Sequence, residues 1–169
     1  MDVPIHTGAL GAHHAPSLVG ILRATGRFSA AEVAVAREML DDPSDYSFLG
    51  AFTPEDELVG YACYGPTPGT DRTFDLYWIA VHPGAQGTGI GTLLLTEVER
   101  RLEGHRARML VVETSSRSDY AQTRTFYGRR GYAERARVRG FYAPGDDRII
   151  LSKRLQPTRP PGGESSHHE

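Results

Sequence analysis

The sequence predicts one domain of mixed α/β class, in which β-hairpins and βαβ crossovers build the same sheet. Three observations lead to this class. The chain has 169 residues, the length of one domain. Runs rich in branched and aromatic residues alternate with segments of helical period. Hairpin turns join several of these runs, which is incompatible with a doubly wound parallel sheet. The predicted order is β-αα-βββ-α-β-α-ββ.

The N-terminal part is predicted to hold one strand and two helices. The strand is Val3–Leu10, and the helices are Ser17–Thr25 and Ala30–Leu40. Ser29 precedes the second helix and Glu32 follows three residues later, which is the pattern of a capping box. The second helix therefore has a well-defined start.

The remaining elements follow from periodicity and turn residues. The helix Ile90–Glu103 has one apolar stripe. Gly131 is expected to stop a later helix, Ser118–Arg129. The predicted strands are Ser47–Thr53, Leu58–Tyr64, Phe74–Val81, Met109–Glu113, Tyr132–Arg139 and Arg148–Lys153, and the last helix is Ser118–Arg129. The domain thus covers residues 1–155. Residues 156–169, rich in proline and glycine, are predicted to be a disordered tail.

Composition narrows the function classes. The formal net charge is −2, without the basic excess of a nucleic-acid-binding protein. No segment has the length of a membrane span or the pattern of an export signal, so we expect a soluble cytoplasmic protein. Cys63, the only cysteine, lies in an apolar run and is expected to be a buried structural thiol. No metal site is predicted, since the adjacent His167 and His168 lie in the tail.

The most informative segment is the glycine-rich loop His82–Thr92, which leaves a buried strand and opens a helix. Its sequence is HPGAQGTGIGT, with glycines at 87, 89 and 91. Glycines let a ligand approach the main chain closely, and the free amides at a helix start form an anion site. The segment therefore predicts binding of a phosphate or another anion.

Two common phosphate loops fit this segment poorly. A Walker A loop needs Gly-Lys-Ser/Thr, but Gly89 is followed by Ile90 and Gly91. A dinucleotide-binding loop needs a third glycine where Thr92 stands, although Glu113 lies about 20 residues further on, where the acidic residue of that fold is expected. The preceding hairpin also leaves no room for two parallel halves.

Two motifs together resemble the GNAT superfamily of acyl-CoA-dependent N-acetyltransferases. Gln86-x-x-Gly89-x-Gly91 is similar to that family's acetyl-CoA signature. The segment Thr125–Tyr132 is similar to its FYxxxGF helix, with tyrosine in place of the final phenylalanine. The resemblance covers residues 3–155. It implies an α+β fold with a mixed, mostly antiparallel central sheet, one splayed strand pair and helices on both faces.

The resemblance also implies acetyl-CoA as the cofactor and assigns contacts to it. The Val81 main chain should meet the pantetheine arm, and the Ile79 amide should face the thioester carbonyl. The amides from Gln86 to Thr92 should hold the pyrophosphate. The complete expected set is Ile79, Ala80, Val81, Gln86, Gly87, Thr88, Gly89, Ile90, Gly91, Thr92 and Tyr127.

Three further side chains are candidates for the chemistry. By motif position, Tyr127 should act as the acid at the leaving sulfur. Asp75 lies four residues before Ile79, and this even spacing would place both side chains on one face of a regular strand, so Asp75 is a candidate base. Glu113, expected at the end of the next strand, is the second candidate base. Either carboxylate could act through water.

The acceptor is expected to be a primary amine of a small molecule, such as an amino acid, a polyamine or an antibiotic-like amine. Tyr77, Glu113, Tyr120 and Arg124 are the candidate residues that bind it. Tyr120, Arg124 and Tyr127 would share one helix face, and Arg117 with Arg124 could hold a carboxylate.

Three other functions stay open at this point. The chain could acetylate protein lysines or N-termini, bind acyl-CoA without catalysis, or carry out other acyl-CoA chemistry. No nucleic-acid or membrane partner is expected. Pairing of exposed strand edges makes a homodimer possible.

Overall fold

A computed structural model describes residues 4–156 as one sheet with helices on both faces. The strands are β1 His6–Ala9, β2 Ser47–Phe52, β3 Leu58–Pro66, β4 Thr73–Val81, β5 Met109–Ser115, β6 Ala133–Ala143 and β7 Asp146–Arg154. The helices are α1 Ala15–Thr25, α2 Ala30–Asp41, α3 Ile90–Gly104 and α4 Ala121–Gly128. The predicted order of elements is therefore confirmed.

The seven strands form one sheet in the order β1-β2-β3-β4-β5-β7-β6. Only β4 and β5 run parallel, and every other neighbouring pair is antiparallel. The parallel pairing extends from Thr73 opposite Met109 to Leu76 opposite Val112. Both strands continue beyond this point without pairing to each other, so a gap opens between them. The predicted mostly antiparallel sheet with a splayed strand pair is confirmed.

Each face of the sheet carries its own hydrophobic core. Helix α3 packs on one face through the predicted stripe Ile90, Leu94, Val98 and Leu102, all buried. Helices α1 and α2 pack on the opposite face through residues such as Leu18, Leu22 and Leu40. We call these the α3 face and the α1–α2 face. Burial of large aliphatic side chains on both faces fixes the sheet between the helices.

Several local predictions are confirmed. The capping box is present: the Ser29 hydroxyl accepts from the Glu32 amide at 3.2 Å, and the Ser29 amide donates to the Glu32 carboxylate at 2.7 Å. Gly131 ends the turn after α4 with φ 92°, a left-handed conformation that favours glycine. Cys63 is fully buried, and burial raises the pKa of its thiol.

Several predicted boundaries need correction; β6, for example, ends at Ala143 instead of Arg139. Strand β3 extends to Pro66, two residues past the prediction. The segment predicted as the helix Ser118–Arg129 begins with a separate 3-10 turn, Ser118–Tyr120. Tyr132 precedes β6 instead of starting it, because its ring packs into the α3-face core directly after the Gly131 turn.

The sheet ends at β6, whose eleven residues are all exposed. An exposed edge of this length is available for pairing, so the homodimer stays a prediction. Within residues 4–156, no helix combines the length and the apolar character needed to cross a membrane. The predictions for Val3 and for residues 157–169, including the histidine pair, lie outside the described residues.

Candidate active site

A β-bulge in β4 lies where the gap begins. Trp78 pairs with Cys63 while Leu76 pairs with Tyr64, so Tyr77 is the extra residue. A bulge reverses which face the following side chains occupy. Beyond the bulge, Ile79 therefore packs on the α3 face and Trp78 on the α1–α2 face.

The bulge corrects the expectation that Asp75 and Ile79 share a face. Asp75 pairs with Gly65, and Ile79 pairs with Ala62, which lies at an odd spacing from Gly65 on β3. Partners across an antiparallel pair point to the same face, so Asp75 lies on the α1–α2 face and Ile79 on the α3 face. The even spacing is misleading because β4 is not regular.

Main-chain groups of β4 point into the gap at two positions. The His82 amide donates to the Val59 carbonyl on β3 at 2.8 Å. Paired residues in an antiparallel ladder alternate between bonding each other and facing away. By this alternation, the amides and carbonyls of Val81 and Ile79 face away from β3, toward β5. The Ile79 amide and carbonyl and the Val81 amide are therefore available to a ligand in the gap, whereas the Val81 carbonyl accepts a bond from the Gln86 side chain.

The same alternation corrects one expected contact. The main chain of Ala80 bonds β3 opposite Tyr61, and its side chain is buried in the α1–α2 core. Ala80 consequently has neither group free to meet a ligand in the gap.

The glycine-rich loop provides a run of unpaired amides. Gly87 and Gly89 have φ of 78° and 84°, and Gly89 is the cap residue before α3. The first main-chain bond of that helix runs from the Leu93 amide to the Gly89 carbonyl. In the described part of the chain, the amides from Gly87 to Thr92 donate no main-chain bond. Free amides at a helix start are suited to binding an anion.

Gln86 differs from the expectation for the loop. Its amide already donates to the Pro83 carbonyl at 3.3 Å, because Pro83–Ala85 forms a 3-10 turn. The free run of amides therefore begins at Gly87. The Gln86 side chain instead donates to the Val81 carbonyl at 3.2 Å and ties the loop to the strand. His82 caps the 3-10 turn, accepting from the Gly84 amide at 3.1 Å.

Tyr127 is a buried tyrosine on the α3 face. It is 4% exposed and packs in the same core as Ile79, with its ring centroid 5.5 Å from that of Tyr132. Burial alone raises the pKa of its hydroxyl above the usual value, with no hydrogen bond contributing. Tyr127 therefore stays protonated across the physiological pH range, and its hydroxyl donates to no other residue among 4–156.

The two candidate carboxylates lie on the opposite, α1–α2 face. Asp75 accepts a hydrogen bond from the Thr67 hydroxyl at 2.8 Å. Glu113 lies two residues before the end of β5, where the sequence had placed the end itself, and pairs with Arg148 of β7. Asp75 is level with Val111 across the parallel pair, so both carboxylates occupy the same face beside the gap.

Aromatic side chains surround this face. Tyr77 is 38% exposed and packs edge-on against Tyr46, with ring centroids 5.5 Å apart. Phe141 and Tyr142 of β6 are about half exposed, and Phe141 stacks under Arg148. Burial, and then the charge of Glu113, raises the pKa of the Tyr142 hydroxyl.

The connection between α1 and α2 bridges this face. The Arg27 guanidinium lies 5.4 Å from the centre of the Tyr120 ring, and it donates to the Asp119 carbonyl at 3.3 Å. These contacts join two segments on opposite sides of the gap.

Two expected acceptor residues are placed differently from the prediction. Tyr120 ends the 3-10 turn before α4, so it does not share a regular helix face with Arg124 and Tyr127. Arg124 donates to the carbonyls of Ser115 and Arg117 at 2.7 and 2.8 Å. Its guanidinium thus stabilises the loop after β5.

The residues that sequence reasoning missed come from the C-terminal hairpin and the α1–α2 connection. They are Arg27, Phe141, Tyr142 and Arg148. Arg27 and Arg148 are brought to this face by contacts between segments far apart in the chain, as in the pair of Arg148 with Glu113. The exposed aromatic pair in β6 was the one local signal available.

The site combines a splayed parallel strand pair with a glycine-rich helix start. A buried tyrosine lies on one face and two carboxylates lie on the other. This arrangement is that of an acyltransferase. The comparisons agree. The family model described as Acetyltransferase (GNAT) family matches residues 17–132, more than half of the chain. The chain belongs to the GNAT family of acetyltransferases.

Solved structures extend this result. A GNAT-family protein from Desulfovibrio desulfuricans is 38% identical, with a TM-score of 0.85 over 89% of this chain and 99% of that chain. The ribosomal-protein-S18-alanine N-acetyltransferase from Escherichia coli is 20% identical, with a TM-score of 0.77 over 94% of this chain and 99% of that one.

An aminoglycoside 6'-N-acetyltransferase complexed with coenzyme A is 17% identical, with a TM-score of 0.75 over 91% of this chain and 99% of that one. At these lower identities the likeness concerns the fold alone. No curated protein matches the chain.

Proposed function

We propose that the protein transfers the acetyl group of acetyl-CoA to a primary amine of a small molecule, by direct attack in a ternary complex. The observation that carries this proposal is the gap between β4 and β5. It is open from Tyr77 onward, it receives main-chain groups of Ile79 and Val81, and it leads to the free amides of Gly87–Thr92. These features fit a pantetheine arm followed by a diphosphate.

The two faces of the gap divide the chemistry. Acceptor amine enters from the α1–α2 face, where Asp75 and Glu113 lie, and the leaving sulfur meets Tyr127 on the α3 face. The bulge at Tyr77 makes this division possible, since without it Asp75 and Ile79 would face the same side. The corrected position of Asp75 therefore suits a base better than the expected one.

The amine must lose a proton before it attacks. A lysine-like amine has a pKa near 10.4, so the neutral form costs roughly 4–5 kcal/mol at pH 7. Asp75 or Glu113, acting through water, takes that proton. Glu113 is engaged by Arg148, whereas Asp75 accepts only the Thr67 hydroxyl bond among the described residues. Asp75 is therefore the preferred base.

Acetyl transfer then requires one bond to form and one to break. The amine nitrogen forms a bond to the acetyl carbonyl carbon, and the developing oxyanion accepts a hydrogen bond from the Ile79 amide. Collapse breaks the carbon–sulfur bond, and its electron pair leaves on the coenzyme A thiolate. Because an ordinary thiol has a pKa near 8.5, below that of Tyr127, the tyrosine stabilises this thiolate chiefly by donating a hydrogen bond.

A small-molecule acceptor is favoured over a protein. The contacts of Arg27 with Tyr120 and Asp119 tie the α1–α2 connection to the segment before α4, whereas a protein substrate needs an open groove. A thiol-release assay with acetyl-CoA and a broad amine panel tests the proposal, with mass spectrometry of the products. We expect amine-dependent thiol release and an N-acetylated small molecule. Thiol release without an amine, or acetylation of proteins alone, would contradict it.

A further inference from the structure

Arg148 lies on the α1–α2 face, at the edge of the gap. It pairs with Ser115 across β5 and β7, so its side chain shares the face of Glu113. One nitrogen of its guanidinium bonds the Glu113 carboxylate, and its central carbon lies 4.9 Å from the centre of the Phe141 ring. Stacking holds the guanidinium plane and leaves its edge available for hydrogen bonds.

Most of the hydrogen-bonding capacity of Arg148 is unused. A guanidinium has five N–H donors. Within residues 4–156, Glu113 is its only hydrogen-bond partner, and its buried Nε has none. An arginine fixed in this way is suited to a planar anion such as a carboxylate, which it can hold with two parallel bonds.

The α1–α2 face carries a cation, Arg148, and an anion, Asp75, that makes no ion pair with it. Asp75 makes no ion pair in the described part of the chain, so it is available to an ammonium group. The hydrogen bond that Arg148 donates to Glu113 raises the pKa of its guanidinium, and the charge of Asp75 has a weaker effect in the same direction. A polyamine would place a second cation beside Arg148 and meet repulsion.

We infer that the acceptor carries a carboxylate close to its amine, as an α-amino acid does, and that Arg148 binds this carboxylate. The inference rests on the proposed acetyl transfer and narrows its acceptor. The half-exposed Phe141 and Tyr142 beside Arg148 favour an apolar side chain on that amino acid. The sequence analysis assigned the anion-binding role to Arg124, whereas this inference assigns it to Arg148 of the C-terminal hairpin.

The test compares three matched acceptors: phenylalanine, phenylalaninamide and phenethylamine. We expect the wild-type kcat/KM to be at least about tenfold higher for phenylalanine than for either carboxylate-free amine, because charge-assisted hydrogen bonds are the stronger kind. In Arg148→Gln this ratio should fall toward one, and Arg148→Lys should restore part of it. Arg139→Gln, which removes an exposed charge from the same hairpin, is the control and should keep the ratio.

Each outcome separates the inference from the function on which it rests. Calorimetric binding of acetyl-CoA to every variant verifies that the donor site is intact. If the wild type acetylates all three acceptors equally, or Arg148→Gln keeps the preference, the inference is wrong and acetyl transfer stands. If acetyl-CoA binds but none of the three amines, nor any other amine of the panel, is acetylated, both are wrong.

Discussion

Removing the Tyr127 hydroxyl gives the clearest test of the proposed chemistry. In Tyr127→Phe the ring keeps its packing, and no hydrogen bond is lost among residues 4–156, since the Tyr127 hydroxyl makes none to them. The free energy of unfolding should therefore stay the same or increase. Any loss of activity then reports on catalysis.

The expected loss follows from the bond that Tyr127 makes to the leaving thiolate. A hydrogen bond to a charged group contributes roughly 1.5–3 kcal/mol. That range corresponds to a roughly 10- to 160-fold decrease in kcat, since about 1.4 kcal/mol is a factor of ten. The affinity for acetyl-CoA should hardly change, as the bond forms in the transition state. The assay is thiol release at saturating amine, with acetyl-CoA affinity measured by calorimetry.

Tyr132→Phe is the matched control. The two rings are 5.5 Å apart, but the Tyr132 hydroxyl donates to Glu99 at 2.9 Å. Its loss should lower the free energy of unfolding by about 1 kcal/mol and leave kcat unchanged. If Tyr127→Phe keeps full turnover, or if both variants lose turnover equally, the assignment of Tyr127 is wrong.

Three further predictions concern the anion site, the base and the pH profile. Gly89→Asp should abolish acetyl-CoA binding in calorimetry, since it places a carboxylate in the anion site; Gly69→Asp, at a similar positive φ in a remote loop, should not. Asp75→Asn should lower kcat/KM roughly 10²-fold at pH 7.5 and much less at pH 10, where the amine loses its proton unaided; equal losses would argue against a base. The kcat of the wild type should rise with pH to a plateau without a decline below about pH 10, because the raised pKa keeps Tyr127 protonated; a decline near pH 8 would contradict this.

The elements were predictable because their signals are local. The stripe of α3 and the capping box at Ser29 depend on residues within one or two turns, and both are present as expected. The glycines at 87 and 89 were equally informative, because a positive φ is rarely adopted by other residues.

The predictions that were wrong concern features that depend on contacts between distant segments. The bulge at Tyr77 has no local marker, and it reversed the predicted relation of Asp75 to Ile79. Arg124 looked like a free helix arginine until the fold brought the carbonyls of Ser115 and Arg117 to it.

A titration of the isotope-labelled protein with coenzyme A, followed through its amide NMR signals, tests the central claim most directly. The claim is that main-chain amides at the start of α3 bind the diphosphate of the acyl donor. We predict that the amides from Gly87 to Thr92 shift most strongly, and in a saturable way. Unchanged signals at these six residues in folded protein, or changes confined to other regions, would contradict it.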